Sequence, residues 1–347
     1  MTSKKRAIIH IGGHKTGSSA IQAFCVLNAA RLEKLGIVYP LELVSHIDRV
    51  GGQAHHCLVN LFMDDKTFWK AVNLRPKAMR DADIVAFLKD LPRDKNILLS
   101  SENLVWLDDE ALAALQVYLE GFEVHVILYA RRQDDALQAL YQTVVASIGE
   151  AKEFAEYTSG DVHALFEYDK IAQKWQTVFG AENVVVRAYE PEQLYHRDSV
   201  LDFFQVLAGI LKSPIDISTW ERASGTINRG MPAHVTGLIR YHNGRFTKRW
   251  LVPIIKMVSS RLYRDSRGSY EIILPSERKA LLESFAQSNE NLARKFLGKS
   301  DGVLFYDLAI KQTDSAWNAK YNKKGSHFAL LLRDIMGQFK VLKITQE

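Results

Sequence analysis

Lys15 stands in Gly12-Gly13-His14-Lys15-Thr16-Gly17-Ser18-Ser19, between a short apolar run, Arg6 to Ile11, and a long segment of helical periodicity. A strand that ends in a glycine-containing turn and opens into a helix gathers backbone N–H groups around one point. The helix dipole adds partial positive charge there, so phosphate is the natural occupant. Lys15 adds a full charge, and Ser18 and Ser19 add hydroxyl donors. In the nucleotide-triphosphatase fingerprint G-x-x-x-x-G-K-[ST], lysine follows the second glycine and the next hydroxyl reaches magnesium. Here lysine precedes Gly17. The two later apolar runs, Asn96 to Ser100 and Val124 to Ala130, lead into Glu102 and Arg131 rather than into a magnesium-binding aspartate. A magnesium triphosphate, and with it a P-loop kinase, is disfavoured. The plain alternative is an ordinary strand-to-helix turn with an exposed lysine.

The order Lys15-Thr16-Gly17-Ser18-Ser19 after His10-Ile11-Gly12 resembles the 5′-phosphosulfate loop of sulfotransferases that use 3′-phosphoadenosine 5′-phosphosulfate, the bacterial ones especially. A second segment supports the resemblance: the run Val124 to Ala130 delivers Arg131-Arg132-Gln133-Asp134-Asp135, similar to the bacterial form of the family's other cofactor motif. In that family the arginine and a serine eight positions later hold the 3′-phosphate. Arg131 matches, whereas Ala139 occupies the serine's place and removes a hydroxyl donor. Ile97-Leu98-Leu99-Ser100-Ser101-Glu102 resembles the family's strand ending in Ser-Ser-Glu, and Phe285 to Ala293 its late helix, so the likeness runs over about residues 6 to 305.

The resemblance implies that Gly13, His14, Lys15, Thr16, Gly17, Ser18 and Ser19 cradle the 5′-phosphate. Lys15 would neutralise charge on the leaving phosphate oxygen, so that no metal is required and 3′,5′-adenosine bisphosphate is the product. Asn228 and Arg229, just ahead of a helix beginning near Pro232, resemble a late segment that contributes to the 3′-phosphate pocket; helix capping explains Asn228 equally well. For a general base, His55 and His56 come first, because imidazole titrates near neutral pH and the pair follows the loop Gly51-Gly52-Gln53-Ala54. Glu102, at the end of a sheet strand, comes second, with burial expected to raise its pKa. It could equally cap the following helix. The expected function is transfer of a sulfuryl group to an acceptor hydroxyl, on a carbohydrate or polysaccharide precursor. The alternative is a non-catalytic nucleotide-binding or scaffold protein in which Ala139 records lost activity.

These residues need a frame. Helices are expected from about Thr16 to Lys34, Arg80 to Leu91, Asp108 to Leu119, Gln133 to Ala146, Val162 to Phe179, Ser199 to Leu211 and Pro275 to Leu297. Strands are expected at Arg6 to Ile11, Ile37 to Tyr39, Asn96 to Ser100, Val124 to Ala130 and Asn183 to Ala188. Strands alternating with helices predict an α/β fold, a P-loop-like parallel sheet flanked by helices, with helical additions in the carboxyl half. The expected division is a sulfotransferase-like domain over 1–305 and an extension over 306–347. In the extension, Phe328, Leu331, Leu332, Ile335, Phe339 and Leu342 recur at helical spacing behind Lys320, Lys323 and Lys324. That stripe is expected to pack on the core, with a second subunit or an anionic membrane surface as the other possibilities.

With 347 residues, 47% of them hydrophobic, the chain can bury a sizeable core. Two cysteines, Cys25 and Cys57, make neither a disulfide framework nor a zinc set and fit a reducing cytoplasm. The apolar stretch near the start is broken by His10, His14 and Lys15, too soon for a signal peptide, and no segment approaches the roughly 20 apolar residues of a membrane span. Formal net charge is +5, yet Arg240 to Arg267 carries eight basic residues against Asp265, or +7. Tyr241, Phe246, Trp250 and Tyr263 are interleaved with these charges, a candidate platform for sugar rings or an anionic acceptor; the plain alternative is a solvated helix face. No nucleic-acid module is recognisable.

Overall fold

From Ala7 onward Arg6–Gly12 is buried on both faces, as a strand covered on both sides is. In the computed structural model, which describes residues 4–45, 53–62, 80–223, 231–246, 251–262 and 271–311, it is the central strand, β1. Around it lie β2 (Ile37–Val38), β3 (Asn96–Ser100), β4 (Glu123–Ala130) and β5 (Val184–Ala188) in the order β2-β3-β1-β4-β5. Every pairing is parallel. The fold is α/β, a five-stranded parallel sheet flanked by helices. The chain leaves β1 toward β2 and leaves β4 toward β5 on the opposite side. Their carboxyl ends therefore flank the point where connections diverge, which is where ligands of open α/β sheets bind.

By contact the chain divides into two compact units. The first comprises Met1–Arg132, Ala164–Ile227 and Phe285–Asp307 and contains the sheet. One face of the sheet packs Ile8, Leu98, Ile127 and Tyr129 against Ile21, Phe24 and Cys25 of helix Ser18–Leu27 and against Phe203, Phe204 and Leu207 of helix Ser199–Leu211. Helix Tyr168–Phe179 packs against β4 and β5, with Trp175 fully buried, and is flanked by helices Asp109–Tyr118 and Ala286–Leu297. The second unit, Gln133–His163, Asn228–Ser284 and Leu308–Glu347, is helical over its described residues: helix Gln133–Ser147 packs on helices Ala233–Arg245 and Pro275–Ser284.

Three expected elements differ. The helix expected from Thr16 to Lys34 breaks at Asn28, whose amide donates to Phe24 O and Glu221 O, both at 2.9 Å, leaving helices Ser18–Leu27 and Ala29–Lys34. Asn28 competes for backbone partners that a continuous helix would use. The helix expected from Pro275 to Leu297 breaks at Phe285 into Pro275–Ser284 and Ala286–Leu297. The helix expected from Val162 starts at Tyr168, after a single turn at Asp161–Ala164. Residues 312–347, with the expected amphipathic helix, lie outside the described residues.

Candidate active site

The loop after β1 turns under constraint. A Cβ at Gly13 would collide with the carbonyl oxygen of Tyr129 on β4, so only glycine lets the loop lie this close to the neighbouring strand. Gly17 has φ 78° and is overlooked by Ser199 Oγ and Tyr189, so a side chain there would be both strained and crowded. Between them Thr16 Oγ1 donates to Gly13 O at 2.7 Å and closes the turn. The first bond of the following helix runs from Ala20 N–H to Gly17 O at 2.9 Å. The amides of Gly17, Ser18 and Ser19 thus lie ahead of the ladder, at the positive end of a ten-residue helix.

Lys15 is the loop's one non-glycine residue in the left-handed region, at φ 65°. Such a backbone costs about a kcal/mol or more and persists only where its surroundings hold it. Arg131 supplies the hold: its Nη1 donates to Lys15 O at 2.8 Å. Arg131 is itself fixed by Tyr168, whose hydroxyl donates to Arg131 O at 2.9 Å, and its guanidinium lies 5.9 Å from the Tyr189 ring centroid. The two motifs, one after each central strand, are therefore tied together across the crevice. Burial lowers the pKa of Lys15, and Arg131 lowers it further, while Glu102 opposes both.

The end of β3 fills the other side. Ser100 Oγ is 2.9 Å from His10 Nδ1 and accepts from Gln22 Nε2 at 3.2 Å; the same Gln22 amide donates to Glu102 Oε2 at 2.9 Å. Burial pushes the Glu102 carboxyl up, but His56, the Gln22 hydrogen bond, its own backbone amide and His14 together hold it down, at about 2. Burial would raise Glu102 toward the range of a base, as expected from the sequence, but the neighbouring imidazoles and the two hydrogen bonds outweigh it.

The histidine pair splits. His55 Nδ1 accepts from Ser100 N–H at 2.9 Å, its Nε2 lies 3.0 Å from Pro40 O, and its own N–H donates to Ser100 O at 2.8 Å. One ring nitrogen is spent on β3 and the other on the carbonyl of Pro40 after β2, and burial holds the ring's pKa at about 3. His56 Nδ1 lies 2.8 Å from Ser101 Oγ and 3.1 Å from the Asn103 amide nitrogen, and these two neighbours set which ring nitrogen carries the proton. Burial lowers its pKa and Glu102 partly restores it. His14 packs between Trp106 and Phe166, each at 6.3 Å between ring centroids, and burial lowers its pKa to about 4.

The structure thus brings Gly13, His14, Lys15, Thr16, Gly17, Ser18, Ser19, Glu102, His56 and Arg131 into one unit at the carboxyl ends of the strands. Ala139 belongs to the second unit, where its carbonyl accepts from Thr143 Oγ1 at 2.9 Å. Asn228 and Arg229 lie outside the described residues. The sequence names Ser101 only within the Ser-Ser-Glu run and does not single out Gln22 or Asn103; the three hold Glu102 and His56. Gln22 alone left a trace, as a polar residue buried inside the apolar stretch of the first helix.

No protein-family model matches the chain. An uncharacterised protein of Archaeoglobus fulgidus is 26% identical over 222 residues, which cover 62% of this chain and 57% of that relative, so the match spans little more than half the relative's length. Among solved structures, the chain is similar to a sulfotransferase from Alicyclobacillus acidocaldarius, at 14% identity and a TM-score of 0.48, over 85% of this chain and 97% of that one. It is also similar to the sulfotransferase domain of the Synechococcus PCC 7002 olefin synthase, at 15% identity and a TM-score of 0.34, over 82% and 97%. At these identities and TM-scores, neither likeness carries a functional conclusion.

Proposed function

We propose that the loop after β1 and Arg131 hold 3′-phosphoadenosine 5′-phosphosulfate and that the protein moves its sulfuryl group to an acceptor hydroxyl. The observation that carries this reading is the tie between Arg131 and the left-handed Lys15, beside an ionised Glu102 and a histidine held at one ring nitrogen. The donor set fits the group: a glycine-enforced cradle, amides ahead of a helix, two serine hydroxyls, a lysine and an arginine. When bound, such a donor supplies an activated sulfuryl group and leaves as 3′,5′-adenosine bisphosphate.

The amides and hydroxyls from Gly17 to Ser19 suit the 5′-phosphate, and Arg131 keeps guanidinium N–H groups for the 3′-phosphate beyond the one spent on Lys15 O. Lys15 Nζ places positive charge where the leaving oxygen becomes negative. His56, whose charged form burial disfavours, is the group we assign to take the acceptor's proton, its ring held at Nδ1 by Ser101 Oγ and the Asn103 amide. Glu102, ionised, offsets the charge that then appears on the imidazole. The acceptor we infer is a hydroxyl of a carbohydrate or polysaccharide precursor. Cys25 and Cys57, both buried thiols, suit a reducing compartment such as the cytoplasm.

Binding of 3′,5′-adenosine bisphosphate in the presence of a chelator, followed by a radiolabelled sulfate transfer screen over glycans, lipids and small phenols, tests the reading. Lys15→Ala should lower the transfer rate far more than it weakens the bisphosphate, because its charge matters most as the bridging bond breaks. An absolute need for magnesium, or equal loss in both quantities, would count against the role. Binding without transfer to any acceptor would favour a non-catalytic nucleotide-binding protein.

A further inference from the structure

Helix Leu251–Leu262 of the second unit buries Val252 and Ile255 and turns Pro253, Ile254, Lys256 and Met257 outward. Beside it, at the end of the helix it packs against, Tyr241, Arg245 and Phe246 are also exposed. The four apolar or aromatic side chains on these two helices, Tyr241, Phe246, Ile254 and Met257, are between 42 and 55% exposed. Scattered singly, such residues are unremarkable. Here they share two helices in contact and are mixed with Arg245 and Lys256, and Arg245 lies 5.1 Å from the Tyr241 ring centroid.

The sequence around them is basic without exception. From Arg240 to Leu262 there are six basic residues, Arg240, Arg245, Lys248, Arg249, Lys256 and Arg261, and not one Asp or Glu. Arg240 is occupied by Glu153, but the others have no acidic residue within their own stretch to neutralise them. An acceptor sugar would be served by aromatic rings and hydrogen-bonding amides; isoleucine and methionine exposed beside lysine and arginine serve something apolar just beneath a layer of negative charge. No described helix is long and apolar enough to cross a membrane. The combination is that of a helix lying in the plane of a membrane surface, apolar side chains below the headgroups and cations among them.

We propose that the face formed by Tyr241, Arg245, Phe246, Ile254, Lys256 and Met257 docks on a bilayer rich in anionic lipid. The proposal is independent of the sulfotransferase reading, since none of these residues lies in the candidate active site. The test is co-sedimentation of the full chain with vesicles of equal parts phosphatidylglycerol and phosphatidylcholine, against vesicles of phosphatidylcholine alone, across a salt series. Binding should need the anionic lipid and weaken steeply with salt, because exposed charges act over only about 8 Å at physiological ionic strength. Arg245→Glu with Lys256→Glu, and separately Ile254→Ser with Met257→Ser, should each lower partitioning by about tenfold or more at unchanged melting temperature. Ile254→Ala with Met257→Ala, a gentler pair, covers the case in which the serines disturb folding.

Equal binding to both vesicle types, or full binding by all these variants, would overturn the proposal. So would a dimer in lipid-free solution that Ile254→Ser with Met257→Ser dissociates, which would make the face an interface between copies of this chain. Retention on heparin with no vesicle binding would likewise overturn it, and would assign the charge to a soluble polyanion.

Discussion

At Arg131 one side chain has two attachments to consider. Its guanidinium is the proposed grip on a 3′-phosphate, and its Nη1 also holds the carbonyl of Lys15, whose backbone is in a conformation it would not keep alone. A residue that only bound the 3′-phosphate would leave adenosine 5′-phosphate untouched when removed. Arg131→Ala should instead weaken both ligands: 3′,5′-adenosine bisphosphate by about ten- to a hundredfold, as loss of a charged hydrogen bond does, and adenosine 5′-phosphate by less but measurably, because the loop loosens. Calorimetry on the two ligands decides it; an adenosine 5′-phosphate affinity identical to wild type would reduce the bond to Lys15 O to an incidental contact. The loop and Arg131 were legible in the sequence because glycine order and a basic residue at a strand end are local patterns. The supports of Glu102 and His56 were not, because Gln22, Ser101 and Asn103 reach them from helix and turn positions whose register only the folded sheet sets.

Strand β1 carries a histidine through the middle of the sheet. His10 is fully buried between Tyr129 and Phe203, with Nδ1 2.9 Å from Ser100 Oγ, and burial lowers its pKa to about 4. Such a histidine is neutral in the fold but takes up a proton once the chain unfolds below about pH 6.5. Acidification from about 6.5 therefore favours the unfolded chain, and the loss levels off near 4, where the folded side chain protonates too. His14 and His55, also lowered, act in the same direction. Glu102 adds to it only at lower pH, since its carboxylate stabilises the fold above the unfolded value and that stability is lost toward about 2. Urea unfolding from pH 7.5 down to about 4.5 should give a steadily falling midpoint, with His10→Asn flattening the slope by up to about 3 kcal/mol over the range, an upper bound from the shift itself. A midpoint independent of pH in that window would mean the histidines are not held neutral. The strands themselves were readable from apolar runs of strand length. The helix breaks at Asn28 and Phe285 were not, since each falls inside a continuous helical pattern and the partner of Asn28, Glu221 O, is 193 residues away.

The second unit is assembled from three stretches of chain that the sequence keeps far apart, and one buried arginine joins them. Arg278 is fully buried and pairs with Asp134, with Asp135 at 3.2 Å and with Glu271; its Nη2 also donates to Gln138 Oε1 at 3.2 Å. Asp135 in turn accepts from Lys311 at 2.7 Å, so residues of Gln133–His163, of Asn228–Ser284 and, through Lys311, of the stretch after Asp307 meet at this cluster. Asp134 and Asp135 read in the sequence as part of a cofactor motif, and nothing local announced Arg278 as their partner. A cluster of this kind does little for stability against a well-packed apolar replacement, but removing the cation alone strands buried carboxylates at a cost of about 3 to 5 kcal/mol. Arg278→Met should therefore open the second unit before the first, as contiguous regions of lower stability open on their own. Limited proteolysis with mass-spectrometric mapping should find new cuts within residues 133–163 and 271–284 while the sheet of the first unit stays protected, and Asp134→Asn added to Arg278→Met should recover part of the protection by removing one stranded charge. Cuts spread evenly over both units would instead mean that the molecule unfolds as one, and that the three stretches owe their assembly to packing along helix Gln133–Ser147 rather than to Arg278.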